Sequence, residues 1–132
     1  MALLGASPAS AAPLKGLASP ATCGNFAAEI ANLTNPDNPG AVYGIIQLSY
    51  SSCTRNVWAY LDSYGPACEP GIDYCGTGTV YRNSDGATST CSLQSGQTTC
   101  NSGQLYDGGV TSYAYGSVDN GPLSGYGQTA SY

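Results

Sequence analysis

The nonapeptide Val110–Val118, VTSYAYGSV, alternates between two kinds of side chain. Its two valines and Ala114 fall on one face of an extended chain, whereas Tyr113 and Tyr115 fall on the other, because successive strand side chains point to opposite sides. This period of two predicts a strand that buries its aliphatic face. Asp119–Pro122 follows at once and is expected to end the strand, since Gly and Pro interrupt extended pairing.

Further strands are predicted on either side of turn-forming residues. Val42–Tyr50 is apolar on both faces near its start, which favours a central position in a sheet. Thr77–Arg82 runs into Asn83–Gly86, a hairpin turn whose glycine supplies a positive φ, and another strand follows. Val57–Leu61 suits a strand or a helical turn, and Tyr126–Tyr132 suits a closing strand. Several short strands broken by Gly-rich turns predict a small antiparallel β sandwich or barrel.

One segment carries a helical rather than an extended pattern. Phe26, Ile30 and Leu33 are spaced i, i+4 and i+7, and Asn25 precedes them as an N-cap. This spacing predicts a short helix that ends near Thr34. The predicted fold class is therefore mainly β, with one short N-terminal helix.

The cysteine content predicts how this fold is held together and where it works. The chain of 132 residues contains six cysteines and 18 glycines but no histidine. They are Cys23, Cys53, Cys68, Cys75, Cys91 and Cys100. An even set in a small Gly-rich chain is typical of a disulfide framework formed outside the reducing cytosol. We therefore expect a secreted, extracellular protein.

The spacing of the last two cysteines predicts their pairing. Cys91 and Cys100 lie symmetrically about Ser95-Gly96. A two-residue turn at that dipeptide would place both cysteines on a non-hydrogen-bonded pair of a hairpin, where Cα atoms approach to about 4.5 Å. We expect a cross-strand disulfide there.

The other four cysteines suggest one local and one long-range pair. Cys68 and Cys75 enclose a short turn-bearing segment, which leaves Cys23 to pair with Cys53. On the chain-entropy model, the long-range bridge contributes on the order of 3 to 4 kcal/mol. A zinc site or a redox-active pair is disfavoured, because the chain has no CxxC motif.

Residues 1–22 differ in composition from the rest of the chain. Small and apolar residues follow Met1, and Ala9–Ala11 supplies a small-residue cleavage pattern. We interpret this segment as a signal remnant followed by a Pro/Ala-rich extended lead. Residues 23–132 form the predicted disulfide-stapled β domain.

Charge excludes two classes of partner. Only 8% of the residues are charged, the formal net charge is −5, and the basic residues are Lys15, Arg55 and Arg82. Three scattered cations cannot follow a phosphate backbone, so we expect no nucleic-acid binding. Binding to anionic membranes is excluded by the same reasoning.

The residues needed for common catalytic sites are missing or occur in turns. Without histidine, Ser-His-Asp and Cys-His sites cannot form. Glu69 and Asp73 flank a turn and are the best candidates for a carboxylate pair, but most other acidic residues stand beside Gly, Pro or Asn. We therefore expect no enzymatic activity, no catalytic residue, no cofactor and no metal site.

The 11 tyrosines suggest a binding surface. Tyr113 and Tyr115 share a strand face, and Tyr64 and Tyr74 lie near loops. Tyrosine rings give large contact areas for sugars or proteins at small entropic cost. Trp58, in contrast, is expected to anchor the core.

Gly44–Ala59, GIIQLSYSSCTRNVWA, resembles the central block of the YjfA-like secreted proteins of Gram-positive bacteria, an actinomycete-type domain-of-unknown-function family. In that family a strand ends in Tyr, and a Cys and then Trp-Ala follow, which Cys53 and Trp58 match. The resemblance covers residues 22–132 and supports pairing Cys23 with Cys53. It implies location and fold rather than an activity.

Together these features predict a secreted non-enzymatic structural or protein-interaction component, a subunit of an extracellular assembly that docks through its N-terminal lead. Its partner would be another protein or a further copy of itself. One alternative is a carbohydrate-binding module that contacts polysaccharide through surface tyrosines. Another is a secreted inhibitor or toxin-associated adaptor that presents the loop stapled by Cys68 and Cys75.

Overall fold

The computed structural model describes residues 22–65, 75–120 and 123–132. This part of the chain contains nine strands and no helix. The strands are β1 Asn25–Leu33, β2 Gly44–Ser51, β3 Asn56–Ser63, β4 Gly76–Arg82, β5 Thr88–Ser92, β6 Thr99–Asn101, β7 Leu105–Tyr106, β8 Ser112–Asn120 and β9 Leu123–Gln128.

The strands form two antiparallel sheets, which confirms the mainly β prediction. Sheet I has the order β9-β8-β4-β5, and sheet II has the order β1-β2-β3-β6, with β7 also pairing with β3. Their inner faces pack against each other around one hydrophobic core. The predicted central strand is β2, which lies between β1 and β3.

The helix predicted over Asn25–Thr34 is wrong, because most of this segment is strand β1. β1 pairs along β2, and its register shifts between Ala27 and Glu29. A bulge inserts one extra residue and changes which face the following side chains occupy. Ile30 and Leu33 both follow the bulge and are three positions apart, so they face opposite sides of the strand: Leu33 is fully buried whereas Ile30 is 55% exposed, although the same spacing would place them on one face of a helix.

The core combines large side chains on one sheet with small ones on the other. Sheet II contributes Ile46, Leu48 and Leu61, which are fully buried. On sheet I, Gly78 pairs with Gly116, which also pairs with Gly127, so glycines form a row across three strands. A Cβ on Gly116 would lie 2.7 Å from the Ile46 Cβ. Glycine at this position lets the sheets approach closely.

Cys91 and Cys100 form the predicted disulfide, with their Cα atoms 6.0 Å apart, but they do not lie on a hairpin. Cys91 belongs to β5 of sheet I and Cys100 to β6 of sheet II, so the disulfide joins the two sheets. The turn at Ser95-Gly96 is present, and the Gln97 N–H donates to the Gln94 carbonyl.

The chain crosses between the sheets at this turn instead of pairing with itself. The Leu93 N–H donates to the Gly76 carbonyl of sheet I, and the Ser63 N–H of sheet II donates to the Thr98 carbonyl. Leu93 is fully buried. Burial of this side chain between the sheets explains why the predicted hairpin register is not formed.

Cys23 and Cys53 also pair as predicted, with Cα atoms 5.0 Å apart. Their bridge ties the chain just before β1 to the turn between β2 and β3. Cys75 is disulfide-bonded. Its predicted partner Cys68 lies outside the described residues, as does the lead up to residue 21.

The remaining strand predictions are largely confirmed. Val57–Leu61 lies in β3 rather than in a helical turn, and Thr77–Arg82 lies in β4. Gly86, with a φ of 72°, closes the turn between β4 and β5. The closing strand β9 ends at Gln128, after which Tyr132 exchanges two backbone hydrogen bonds with Ser112.

Candidate binding groove

The outer face of sheet II carries a shallow groove along β3. Val57, Ala59 and Leu61 alternate inward and are fully buried, which places Trp58 and Tyr60 on the opposite face. Both aromatic residues are half-buried and line the groove. The prediction that Trp58 anchors the core is therefore wrong, because the alternation of its neighbours turns its side chain outward.

Sheet register places polar side chains on both sides of the two rings. On β2, Ser49 lies opposite Trp58 and Gln47 lies opposite Tyr60. On β6, Asn101 lies opposite Tyr60 from the other side. The groove has a volume of about 260 Å³ and is lined by Asn25, Phe26, Ala27, Gln47, Ser49, Trp58, Tyr60 and Asn101.

The groove offers neutral hydrogen-bonding groups and no lining charge. The Gln47 amide donates one hydrogen bond to Ser49 Oγ at 2.9 Å. A primary amide has two N–H donors and two acceptor lone pairs, so capacity remains after this bond. The amides of Asn25 and Asn101 line the same groove. The arrangement can therefore hold a ligand that presents both apolar surface and neutral hydroxyl or amide groups.

One end of the groove is fixed by aromatic packing. The Phe26 ring meets the rings of Tyr50 and Tyr132 edge-on, with centroids 5.5 and 6.2 Å away. The Cys23–Cys53 disulfide lies beside this end, where Gly24 and Ser52 also exchange backbone and side-chain hydrogen bonds. The Cys23–Cys53 disulfide, two residues before Asn25, thus restrains the chain at this end of the groove.

The tyrosines predicted as a binding surface are not brought together. Tyr113 and Tyr115 lie on the outer face of sheet I, where Tyr113 stacks on Tyr81 with ring centroids 4.9 Å apart. Tyr64 is 62% exposed just beyond β3 of sheet II. Tyr74 lies outside the described residues.

The groove residues could have been found by applying the alternation rule to β3. In β8, alternate residues place the tyrosines on the face opposite the buried one. The same alternation in β3 places Trp58 and Tyr60 opposite Val57 and Ala59. Gln47 and Asn101, in contrast, join the groove only through strand pairing, which the sequence alone does not fix.

Among the described acidic residues, Asp107 is the one whose carboxyl is buried. No group of three potential ligands occurs among the described residues. Asp107 is 5% exposed, burial raises the pKa of its carboxyl, and Ser112 Oγ donates to it at 2.6 Å. Because Ser112 is fully buried, this contact is structural. Glu69 and Asp73 lie outside the described residues.

Comparisons with known proteins do not identify the chain. No protein-family model, curated protein or solved structure matches it. The resemblance to YjfA-like proteins therefore stays a prediction. In the part of the chain that the structure describes, there is also no helix with the length and apolar character needed to cross a bilayer.

Proposed function

We propose that this chain is a secreted carbohydrate-binding protein that holds a neutral glycan chain in the groove of sheet II. The observation that carries the proposal is the combination of two aromatic rings and three side-chain amides in one groove with no charged lining residue. Trp58 and Tyr60 are two residues apart on β3, so their Cα atoms are separated by about 6.6 Å. That spacing lets adjacent rings contact successive parts of one extended ligand.

Sugar chemistry matches this lining in two respects. A pyranose ring has an apolar C–H surface, which an aromatic ring can cover, and a rim of hydroxyls that amides can bind. Gln47 and Asn101 flank Tyr60 from neighbouring strands and supply such amides. Each polar group of the ligand could thus find a partner while its apolar surface is removed from water.

Charge limits the ligand to neutral glycans. The groove has no charged lining residue, and the whole chain carries a formal charge of −5. Anionic polymers would meet a repulsive field and no cationic partner. The disulfides Cys23–Cys53 and Cys91–Cys100 are consistent with a location outside the cytosol, where neutral polysaccharides are also found.

Carbohydrate binding has more support among the described residues than a structural role has. Docking through the N-terminal lead depended on residues 1–22, of which only Thr22 is described. The groove, in contrast, lies wholly within the described residues.

Calorimetric titration with neutral β-1,4-linked hexasaccharides of glucose, N-acetylglucosamine and xylose tests this proposal. We expect at least one to bind the wild-type protein and to bind Trp58→Ala at least tenfold more weakly, about 1.4 kcal/mol. Tyr64→Ala is the matched control, because Tyr64 is an exposed aromatic residue outside the groove, and its affinity should be unchanged. Binding of none of the sugars, or equal binding by Trp58→Ala, would contradict the proposal.

A further inference from the structure

The floor of the groove contains a buried hydroxyl group, that of Ser49. Ser49 lies on the outer face of sheet II, because its neighbour Leu48 points into the core, yet it is only 4% exposed. Its Oγ accepts a hydrogen bond from the Gln47 amide at 2.9 Å. Among the described residues, none accepts the proton of the Ser49 hydroxyl. Buried donors normally have a partner, so this hydroxyl is available to donate to a ligand in the groove.

The Gln47 amide supplies a second donor at the same place. One of its two N–H groups bonds to Ser49 Oγ, and the other is left to donate elsewhere. The two donor atoms, Gln47 Nε2 and Ser49 Oγ, are 2.9 Å apart, so one ligand oxygen can accept hydrogen bonds from both. The floor of the groove therefore favours an oxygen with two free lone pairs, such as that of a carbonyl group.

Apolar groups flank this pair of donors. Ala27 of β1 and Trp58 of β3 are the direct partners of Ser49 on its two sides. Ala27 is exposed and adds a methyl group to the groove lining, and Trp58 adds a half-buried ring. A carbonyl oxygen that reaches the donors would bring its neighbouring atoms against this apolar surface. A small apolar substituent beside the carbonyl is therefore favoured as well.

From this floor we infer that the groove selects glycans that carry acetamido groups, as chains of N-acetylglucosamine do. The inference rests on the proposed function and specifies the substrate class of the same groove. An acetamido group joins a carbonyl acceptor to a methyl group. Its carbonyl oxygen accepts hydrogen bonds from Ser49 and Gln47, its methyl group lies against Ala27, and the sugar ring is left to contact Trp58 and Tyr60.

Other substituents at the same ring carbon fit this floor less well. A sugar hydroxyl is attached directly to the ring, so it reaches less far into the groove, and it brings a proton of its own and no methyl group. A protonated amine would place a positive charge against two donors and has no lone pair to accept their hydrogen bonds. A carboxylate would accept both bonds, but no cation lines the groove and the chain carries a formal charge of −5.

Calorimetric titration of the wild-type protein with the β-1,4-linked hexasaccharides of N-acetylglucosamine and of glucose tests this inference. Both chains are neutral, and they differ in carrying an acetamido or a hydroxyl group at the same ring carbon. We expect the N-acetylglucosamine chain to bind about tenfold more tightly or better. Equal or tighter binding of the glucose chain would overturn the inference, whereas the proposed function would stand where Trp58→Ala weakens that binding. If no neutral hexasaccharide binds, both fail.

Ser49→Ala tests whether the buried hydroxyl carries this selectivity. Its removal should lower the affinity ratio of the two chains about fivefold or more, because the acetamido carbonyl loses a donor. Ser51→Ala is the matched control and should keep the wild-type ratio, because Ser51 is the next residue on the same face of β2 and is 6% exposed but does not line the groove.

A general loss of packing would weaken the binding of both chains alike. An unchanged affinity ratio in folded Ser49→Ala would therefore overturn the inference. The comparison on the wild-type protein needs no variant, so it decides the ligand class even if Ser49→Ala does not fold.

Discussion

Gly116 determines how closely the two sheets can pack. Its missing side chain leaves room for Ile46, whose Cβ would be 2.7 Å from a Cβ at position 116. We expect Gly116→Ala to lower the free energy of unfolding by about 1 to 3 kcal/mol, the usual range for overpacking. Gly40→Ala is the control, because no atom lies within 4 Å of the added Cβ, and it should have little effect. Urea denaturation that gives equal stabilities for the two variants would disprove this account of the core.

Asp85 and Asp107 are expected to affect acid stability in opposite directions. The Arg82 guanidinium donates two hydrogen bonds to Asp85, and the pKa of this carboxyl is lowered to about 2. Its contribution to stability is therefore present above pH 4 and lost as the pH falls towards 2. Burial raises the pKa of Asp107, so its folded form gains stability relative to the unfolded chain on protonation.

Denaturation midpoints measured from pH 5 to pH 2 test the Asp85 contribution. Asp85→Asn removes the carboxylate that Arg82 binds, so the variant should lose less stability than the wild type between pH 4 and pH 2. Asp85 is solvent-exposed, and we expect the difference to shrink in high salt. Identical pH profiles for the two proteins would show that this ion pair does not contribute.

At the scale of elements, the sequence predicts strands better than it predicts their partners. The phases of β3, β4 and β8 follow from a period of two in Val57–Leu61, Thr77–Arg82 and Val110–Val118. The i, i+4, i+7 spacing in β1 predicts a helix, but it does not mark one buried face, because Leu33 is buried whereas Phe26 and Ile30 are 45% and 55% exposed. The sequence Cys91–Cys100 favoured a hairpin locally, but burial of Leu93 between the sheets determined where its two halves pair.

The two described disulfides differ in the length of chain that they close. The Cys23–Cys53 bridge spans 30 residues and the Cys91–Cys100 bridge spans 9. On the chain-entropy model, these loops correspond to about 3.6 and about 2.6 kcal/mol. We expect replacement of both cysteines by alanine to destabilise the protein more for the first pair than for the second. The reverse order in chemical denaturation would mean that native packing near β5 and β6, rather than loop length, controls the effect.

At the scale of the whole molecule, the two sheets are linked at both edges of the sandwich. Thr34 and Tyr126 exchange two backbone hydrogen bonds between the edge strands of the two sheets, and Cys91–Cys100 joins the opposite edges. Such edges are less available for pairing with other chains. The groove itself lies on the outer face of sheet II.

The candidate site was only partly predictable because it depends on this assembly. The groove lining does not include Tyr64, Tyr113 or Tyr115, which were predicted as a binding surface, but the order of residues in β3 contains enough information to place Trp58 outside the core. Gln47 and Asn101 are 54 positions apart in the sequence, and they flank Tyr60 only because β2 and β6 pair with opposite edges of β3. No local pattern specifies that pairing.

Chemical-shift mapping by ¹H–¹⁵N NMR tests the central claim most directly. A neutral hexasaccharide is titrated into the isotopically labelled protein, and the side-chain N–H signals of Trp58, Gln47 and Asn101 are followed. We predict that these three signals shift in parallel with saturation, while the backbone amides of Tyr81 and Tyr113 stay in place. Saturable shifts confined to sheet I, or no saturable shift with any neutral hexasaccharide, would contradict carbohydrate binding in the groove of sheet II.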